Sequence, residues 1–220
     1  MSPGQAPCER GVPTAAEADA LAQRLLGAEG TRLAHVRTAG FLAGLLAPLF
    51  EPAEGALLVA AATMHDIGYS THVVRTGFHP LDGGLYLRDA GYPERLAALI
   101  AHHSHAHLMA SAQGVDLSAY FPQERSLLVD ALVYADMHSA PDGRIIPAEA
   151  RLADIAARRP SAVESARGEV LRAAMARVGA ALLAGLGPAA DADPPKGSRF
   201  RRWWIEEARR SAAAGSRGPT

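Results

Sequence analysis

Hydrophobic positions in this chain recur every three to four residues. His35, Ala39, Leu42 and Leu46 run i, i+4, i+7, i+11, and Leu57, Ala61 and His65 run i, i+4, i+8. Leu96, Leu99, Ile100 and His103 share one side of a third segment, and Leu128, Leu132 and Asp136 repeat every four residues in a fourth. This period predicts helices over 14–26, 31–46, 52–65, 79–90, 93–104, 107–113, 122–139, 147–158 and 161–186. Punctuation agrees. Thr14 with Glu17 three residues on is a capping box, Thr31 is a candidate cap, and Pro52 suits a first helical position. Gly68 offers a left-handed stop after His65-Asp66-Ile67. No segment alternates with a period of two, and there is no glycine-rich phosphate loop and no internal repeat. The expected fold is all-α.

The pattern weakens at both ends. Residues 1–13 hold Pro3, Pro7, Pro13, Gly4 and Gly11 and are expected to be disordered. The helical domain is expected over 14–187, with a linker and basic tail over 188–220. From Lys196 the tail carries seven basic and two acidic residues around Trp203-Trp204. The preferred reading is a solvated helix that packs its tryptophans back onto the domain.

Composition narrows the function classes. The chain has 220 residues, 49% of them hydrophobic, and a formal net charge of −1. A sizeable core is affordable, and global charge gives no argument for nucleic acid or an anionic membrane. A single cysteine, Cys8, excludes an internal disulfide framework and a thiolate metal site. With no signal-peptide pattern at the start and no apolar run long enough for a bilayer, the expectation is a cytoplasmic protein with no membrane and no clear nucleic-acid partner. Oligomeric state is left open.

The candidate chemistry lies where polar groups interrupt the apolar stripes. His35, His65, Asp66, His103 and Asp136 do so, and His79 and His102 stand at helix ends nearby. Seven of the nine histidines fall between His65 and His107. A lone histidine on an apolar face is usually a core residue bonded to a carbonyl, and His72, His105, His107 and His138 are expected to be exposed. The ordered set is different, because four buried polar groups would each need a separate partner. Imidazoles and carboxylates together suit a divalent cation.

The order His35, His65-Asp66, Asp136 resembles the HD-domain superfamily of metal-dependent phosphohydrolases over residues 14–159. Arg32 just before His35, the His65-Asp66-Ile67-Gly68 ending and Ala135-Asp136 belong to the same likeness. The resemblance implies an HD-domain helical bundle of roughly seven to nine helices. It also implies one or two divalent ions (Mn, Fe, Mg, Co or Ni) held by His35, His65, Asp66 and Asp136. The segments around His79 and His102-His103 look like the further histidines of the dinuclear branches. There Asp66 would bridge two metals, and His79 with His102 or His103 would complete the second site. The implied substrate is a small-molecule phosphoester, a nucleotide or related metabolite. Arg32, Arg75 and His79 would bind it, and Asp66, His102 and Arg32 would act in catalysis. The same ligands serve a mixed-valent di-iron oxygenase, and a non-catalytic nucleotide sensor is a third reading. Some branch markers are missing. Gly91-Tyr92-Pro93 precedes the His102-His103 pair instead of following it, Tyr69-Ser70 stand where one branch has Glu, and the nearest basic residue after His65-Asp66 is Arg75.

Overall fold

The computed structural model describes residues 10–187 and 199–214. It is all-α. The helices are α1 (Ala15–Leu26), α2 (Arg32–Leu46), α3 (Pro52–Met64), α4 (His79–Asp89), α5 (Glu94–Ala101), α6 (Ala106–Ala112), α7 (Leu127–Met137), α8 (Ala148–Arg158), α9 (Ala162–Leu186) and α10 (Arg199–Ala214). Among the described residues the only extended pairing is an isolated bridge between Ser139 and Ile145, across the Pro141-Asp142-Gly143 turn. No helix among them is long and apolar enough to cross a membrane.

Local chemistry sets several boundaries as the sequence predicts. Thr14 and Glu17 close a reciprocal capping box on α1, and Pro52 opens α3. Thr31 precedes α2 without a side-chain cap. Two helices are shorter than expected. Helix α7 starts at Leu127, capped by the Ser126 hydroxyl. Helix α5 stops at Ala101, because Ser104 and His105 adopt left-handed backbone at φ 48° and 54°.

Helices α2, α3 and α7 pack pairwise around the core. Leu42, Leu58, Leu132 and Val133 are buried there, and each large apolar side chain so removed from water contributes about 1.5–3 kcal/mol. Gly40 lets α2 approach α3 closely. A Cβ on it would lie 2.3 Å from the Thr63 hydroxyl oxygen. Gly68 acts by the same means and not by a left-handed turn, since its φ is not positive. A Cβ there would sit 1.9 Å from the His79 carbonyl oxygen. The backbone after Asp66 is thus pressed against the start of α4, which brings His79 to Asp66.

At the C-terminus the expected helix is present and returns Trp204 to the domain. Of the segment expected to be disordered, residues 1–9 lie outside the described residues. Arg10 within it donates its backbone N–H to the Gly91 carbonyl at 2.8 Å and stacks its guanidinium over Tyr92. The expected linker and the first residues of the basic tail, 188–198 together, also lie outside the described residues. Helix α10 packs along α9 and buries Trp204, Ile205, Glu207 and Ala208. It also covers His138, which is fully buried and not exposed as expected. The His138 ring stacks on Tyr134 at 4.0 Å, and its Nδ1 faces the Tyr134 carbonyl at 2.7 Å. Glu207 Oε1 lies 3.2 Å from His138 Nε2 and accepts the Ala148 N–H at the start of α8. Burial would raise the Glu207 carboxyl, but His138, Arg210 and the Ala148 N–H outweigh it and push it down to about 2.

Two outcomes follow. Gly68→Ala must move α4 or the turn before it, so the unfolding midpoint should fall by an amount equivalent to about 1–3 kcal/mol, read by thermal denaturation. Because the folded pKa of Glu207 is depressed, its contribution is present above pH ~4.5 and is lost as pH falls toward 2. Glu207→Ala should cost about 3–5 kcal/mol, roughly 6–20 °C in Tm at pH 7, and the difference from the parent should shrink at pH 3. Equal differences at both pH values would contradict this.

Candidate metal centre

Three packed helices deliver the central residues. His35 sits one turn after Arg32 on α2, so both point from one face. His65 caps the C-terminus of α3, and Asp66 follows at φ −101°, ψ 9°, outside helical geometry. That break lets two adjacent side chains reach one point, which a continuous helix forbids. Asp136 comes from the last turn of α7. His79 opens α4, and His103 lies just past the end of α5.

His35, His65, Asp66, His103 and Asp136 are all buried. His35 Nε2 lies 3.2 Å from His65 Nε2, 3.2 Å from Asp136 Oδ1 and 3.6 Å from Asp66 Oδ2. His65 Nε2 is 3.6 Å from Asp66 Oδ2 and 3.7 Å from Asp136 Oδ1. The other oxygen of Asp66 faces a different pair: Oδ1 is 3.3 Å from His79 Nε2 and 3.6 Å from His103 Nε2. The sets His35–His65–Asp66, His65–His103–Asp136 and Asp66–His79–His103 each present ligand atoms within 4.8 Å of one another.

The outer nitrogens show why these atoms suit a cation. His35 Nδ1 faces the Ala140 carbonyl at 3.3 Å, His65 Nδ1 the Ala62 carbonyl at 2.8 Å, and His103 Nδ1 the Ile100 carbonyl at 2.7 Å. A carbonyl only accepts, so each Nδ1 carries a hydrogen, and in the neutral ring each Nε2 turns a lone pair inward. In that neutral form nitrogen lone pairs and carboxylate oxygens face one another without protons between them. That is the arrangement a bound divalent ion satisfies, and the carbonyls supply the outer contacts that fix metal-binding histidines. Burial lowers His79, and it lowers His103 to about 3, so both keep a free lone pair at neutral pH. Burial opposes ionisation of Asp66 and Asp136. It is outweighed at Asp66 chiefly by His65, His79 and Arg32 and at Asp136 by His35 and His65, so both carboxyls are held well below the usual range.

Polar neighbours hold the carboxylates in place. Arg32 donates to Asp66 Oδ2 at 2.7 Å, and its guanidinium lies over the Tyr69 ring at 4.1 Å. Tyr69 stacks on His79 at 3.9 Å. The Ser104 hydroxyl donates to Asp136 Oδ2, and Arg167 on α9 donates to the Ser104 carbonyl at 2.8 Å. The left-handed turn at Ser104 and His105 is therefore tied to a site carboxylate on one side and to α9 on the other. The site opens on a cleft of about 470 Å³, a size that suits a small molecule. Arg32, Asp66, His79, His103 and Asp136 line its floor, and Arg151, Arg158, Arg159 and Arg167 from the α8–α9 region line its wall.

Two residues expected at the site stand elsewhere. The break in α5 turns His102 away from the cleft, and its Nε2 donates to the Phe121 carbonyl at 3.0 Å. Arg75 lies on the exposed loop before α4 and pairs with Asp89 at 2.5 Å, outside the cleft lining. Of the histidines expected to be exposed, His72 is, while His105 and His107 are half-buried. Sequence reasoning missed Tyr69, Ser104 and the four wall arginines. No periodic signal marks them, because charged residues on an outer helix usually read as a solvated face.

The comparisons agree with this geometry. No curated protein and no solved structure matches the chain. A family model described as the HD domain matches residues 32–158, from the first residue of α2 to the last of α8. That span contains every residue of the His/Asp cluster and more than half of the chain, so the chain belongs to the HD-domain family.

Proposed function

We propose that this chain is a phosphohydrolase that uses two divalent ions to cleave a phosphoester of a small molecule, a nucleotide or related metabolite, with water. The observation that carries this reading is the division of Asp66. Its Oδ2 faces His35 and His65, both at 3.6 Å, and its Oδ1 faces His79 at 3.3 Å and His103 at 3.6 Å. A carboxylate placed so can bridge two cations. His35, His65 and Asp136 would hold the first with it, and His79 and His103 the second. Divalent ions bound there supply Lewis acidity, which makes a water acidic near neutral pH and offsets charge on a phosphoryl group.

The chain's own residues do the rest. Arg32 lines the cleft beside Asp66, and its planar guanidinium can take two phosphoryl oxygens at once. Its stacking on Tyr69 limits its rotamers, so less freedom is lost when phosphate binds. The Ala140, Ala62 and Ile100 carbonyls fix the rings of His35, His65 and His103 before any ligand arrives. Ser104 orients Asp136 through the hydroxyl contact. His79 is lowered by burial and is neutral at working pH, which suits a lone-pair donor better than an acid for the leaving group. His102, turned to Phe121, takes no part in this scheme.

The test is metal content combined with phosphate release from a phosphoester panel in anaerobic Mn²⁺ buffer. His65→Ala and Asp66→Ala should lose bound metal and lower turnover by more than the roughly 10–100-fold typical of outer contacts. His103→Ala should reduce the metal-to-protein ratio by half, while His102→Gln should leave that ratio unchanged. Parent-level phosphate release by Asp66→Ala, or a ratio unaffected by His103→Ala, would refute the two-ion reading.

A further inference from the structure

The wall of the cleft carries more positive charge than its surroundings neutralise. Five arginines line the cleft against two aspartates, and both aspartates belong to the His/Asp cluster. Arg32 already donates to Asp66. Arg167 is engaged with Glu164 at 2.6 Å and with the Ser104 carbonyl. Helix α8 is different. Arg151 and Arg158 share one carboxylate, Asp154, and Arg158 holds it closely through both its Nε and Nη2 nitrogens. Arg151 reaches the same carboxylate at 3.5 Å only. Arg151 is also buried, with 7% of its surface exposed, and its Nε has no hydrogen-bond partner. Arg159, next after α8, adds a further guanidinium and turns toward Tyr69 across the cleft.

A buried guanidinium with an unmatched N–H is costly unless an anion meets it. The wall faces the cleft, so that anion can come with the ligand. Two guanidinium groups suit phosphate in particular, since each presents paired donors matched to its oxygens. The reacting phosphoryl group has the His/Asp cluster and Arg32, which line the same cleft. We propose that Arg151 and Arg159 form a subsite for a second phosphate. The substrate class is then a phosphoester with at least two phosphates, in preference to a simple monophosphate. This deepens the hydrolase reading and rests on it for the identity of the reacting group.

Direct binding of the full chain, measured by titration calorimetry, tests this. The probes are adenosine 5′-monophosphate, adenosine 5′-diphosphate and adenosine 3′,5′-bisphosphate, each in Mn²⁺ buffer and in EDTA. At least one of the two-phosphate ligands should bind about tenfold or more tightly than the monophosphate in both buffers, since arginines carry the preference. The 5′-diphosphate and 3′,5′-bisphosphate arms tell an adjoining second phosphate from a separated one. Arg151→Gln and the exposed Arg159→Gln should each bring the affinity ratio toward one. Arg159→Gln keeps the test open if the buried Arg151 variant fails to fold. Equal affinities for all three probes would overturn the subsite, and so would a preference seen only with Mn²⁺ or an equal loss of every probe in both variants. A chain that binds no metal but keeps the preference in EDTA would sink the hydrolase reading and leave the subsite standing.

Discussion

The structure depends on a buried cluster of imidazoles and carboxylates arranged as a divalent cation would need them. Three backbone carbonyls take the outer hydrogens of His35, His65 and His103, so their inner nitrogens point lone pairs at one another and at two carboxylates. Inside a buried, low-dielectric region such a set repels itself. Arg32 offsets one oxygen of Asp66, and the Ser104 hydroxyl serves one oxygen of Asp136. The remaining lone pairs converge on the same small space. Divalent ions bound there would remove the repulsion, with α2, α3 and α7 supplying one set of ligands and the start of α4 and the turn after α5 the other.

Much of the fold exists to press these helices together at that point. Gly40 and Gly68 remove the Cβ atoms that would hold α2 off α3, and α4 off the turn after Asp66. The left-handed pair Ser104 and His105 stops α5 early and aims His103 inward. Strain of this kind persists only where surrounding contacts over-determine it, and here Arg167 and Asp136 hold the turn from two sides. Farther out, α10 seals the C-terminal end of α7 through Glu207 and His138, and His138 stands two residues beyond Asp136 in the chain. Packing at the C-terminus is thereby linked to the placement of a site carboxylate.

The sequence made the all-α class and the central residues legible for one reason. His35, His65 and Asp136 occupy core positions on helical stripes, where a polar group has no ordinary place. Asp66 was legible because it adjoins a helix end. What the period could not carry was the direction of a side chain after a helix breaks. His102 and His103 look alike along the chain, and only the left-handed turn separates them. Arg75 is near His65-Asp66 in sequence, but its loop carries it to Asp89 instead. His138 reads as exposed until α10, some seventy positions later, closes over it. The wall arginines show the same limit, since their meaning comes from the cleft they face.

Thermal unfolding of the full chain with saturating Mn²⁺ and with EDTA tests for this cation most directly. At a concentration about 100-fold above the dissociation constant, binding to the folded state alone adds about 2.7 kcal/mol, which corresponds to roughly 5–11 °C for a chain of this length. The account predicts a rise of that size with Mn²⁺, absent in His65→Ala. Identical midpoints for the parent chain with Mn²⁺ and with EDTA, across Mn²⁺, Fe²⁺, Co²⁺, Ni²⁺ and Mg²⁺, would contradict it.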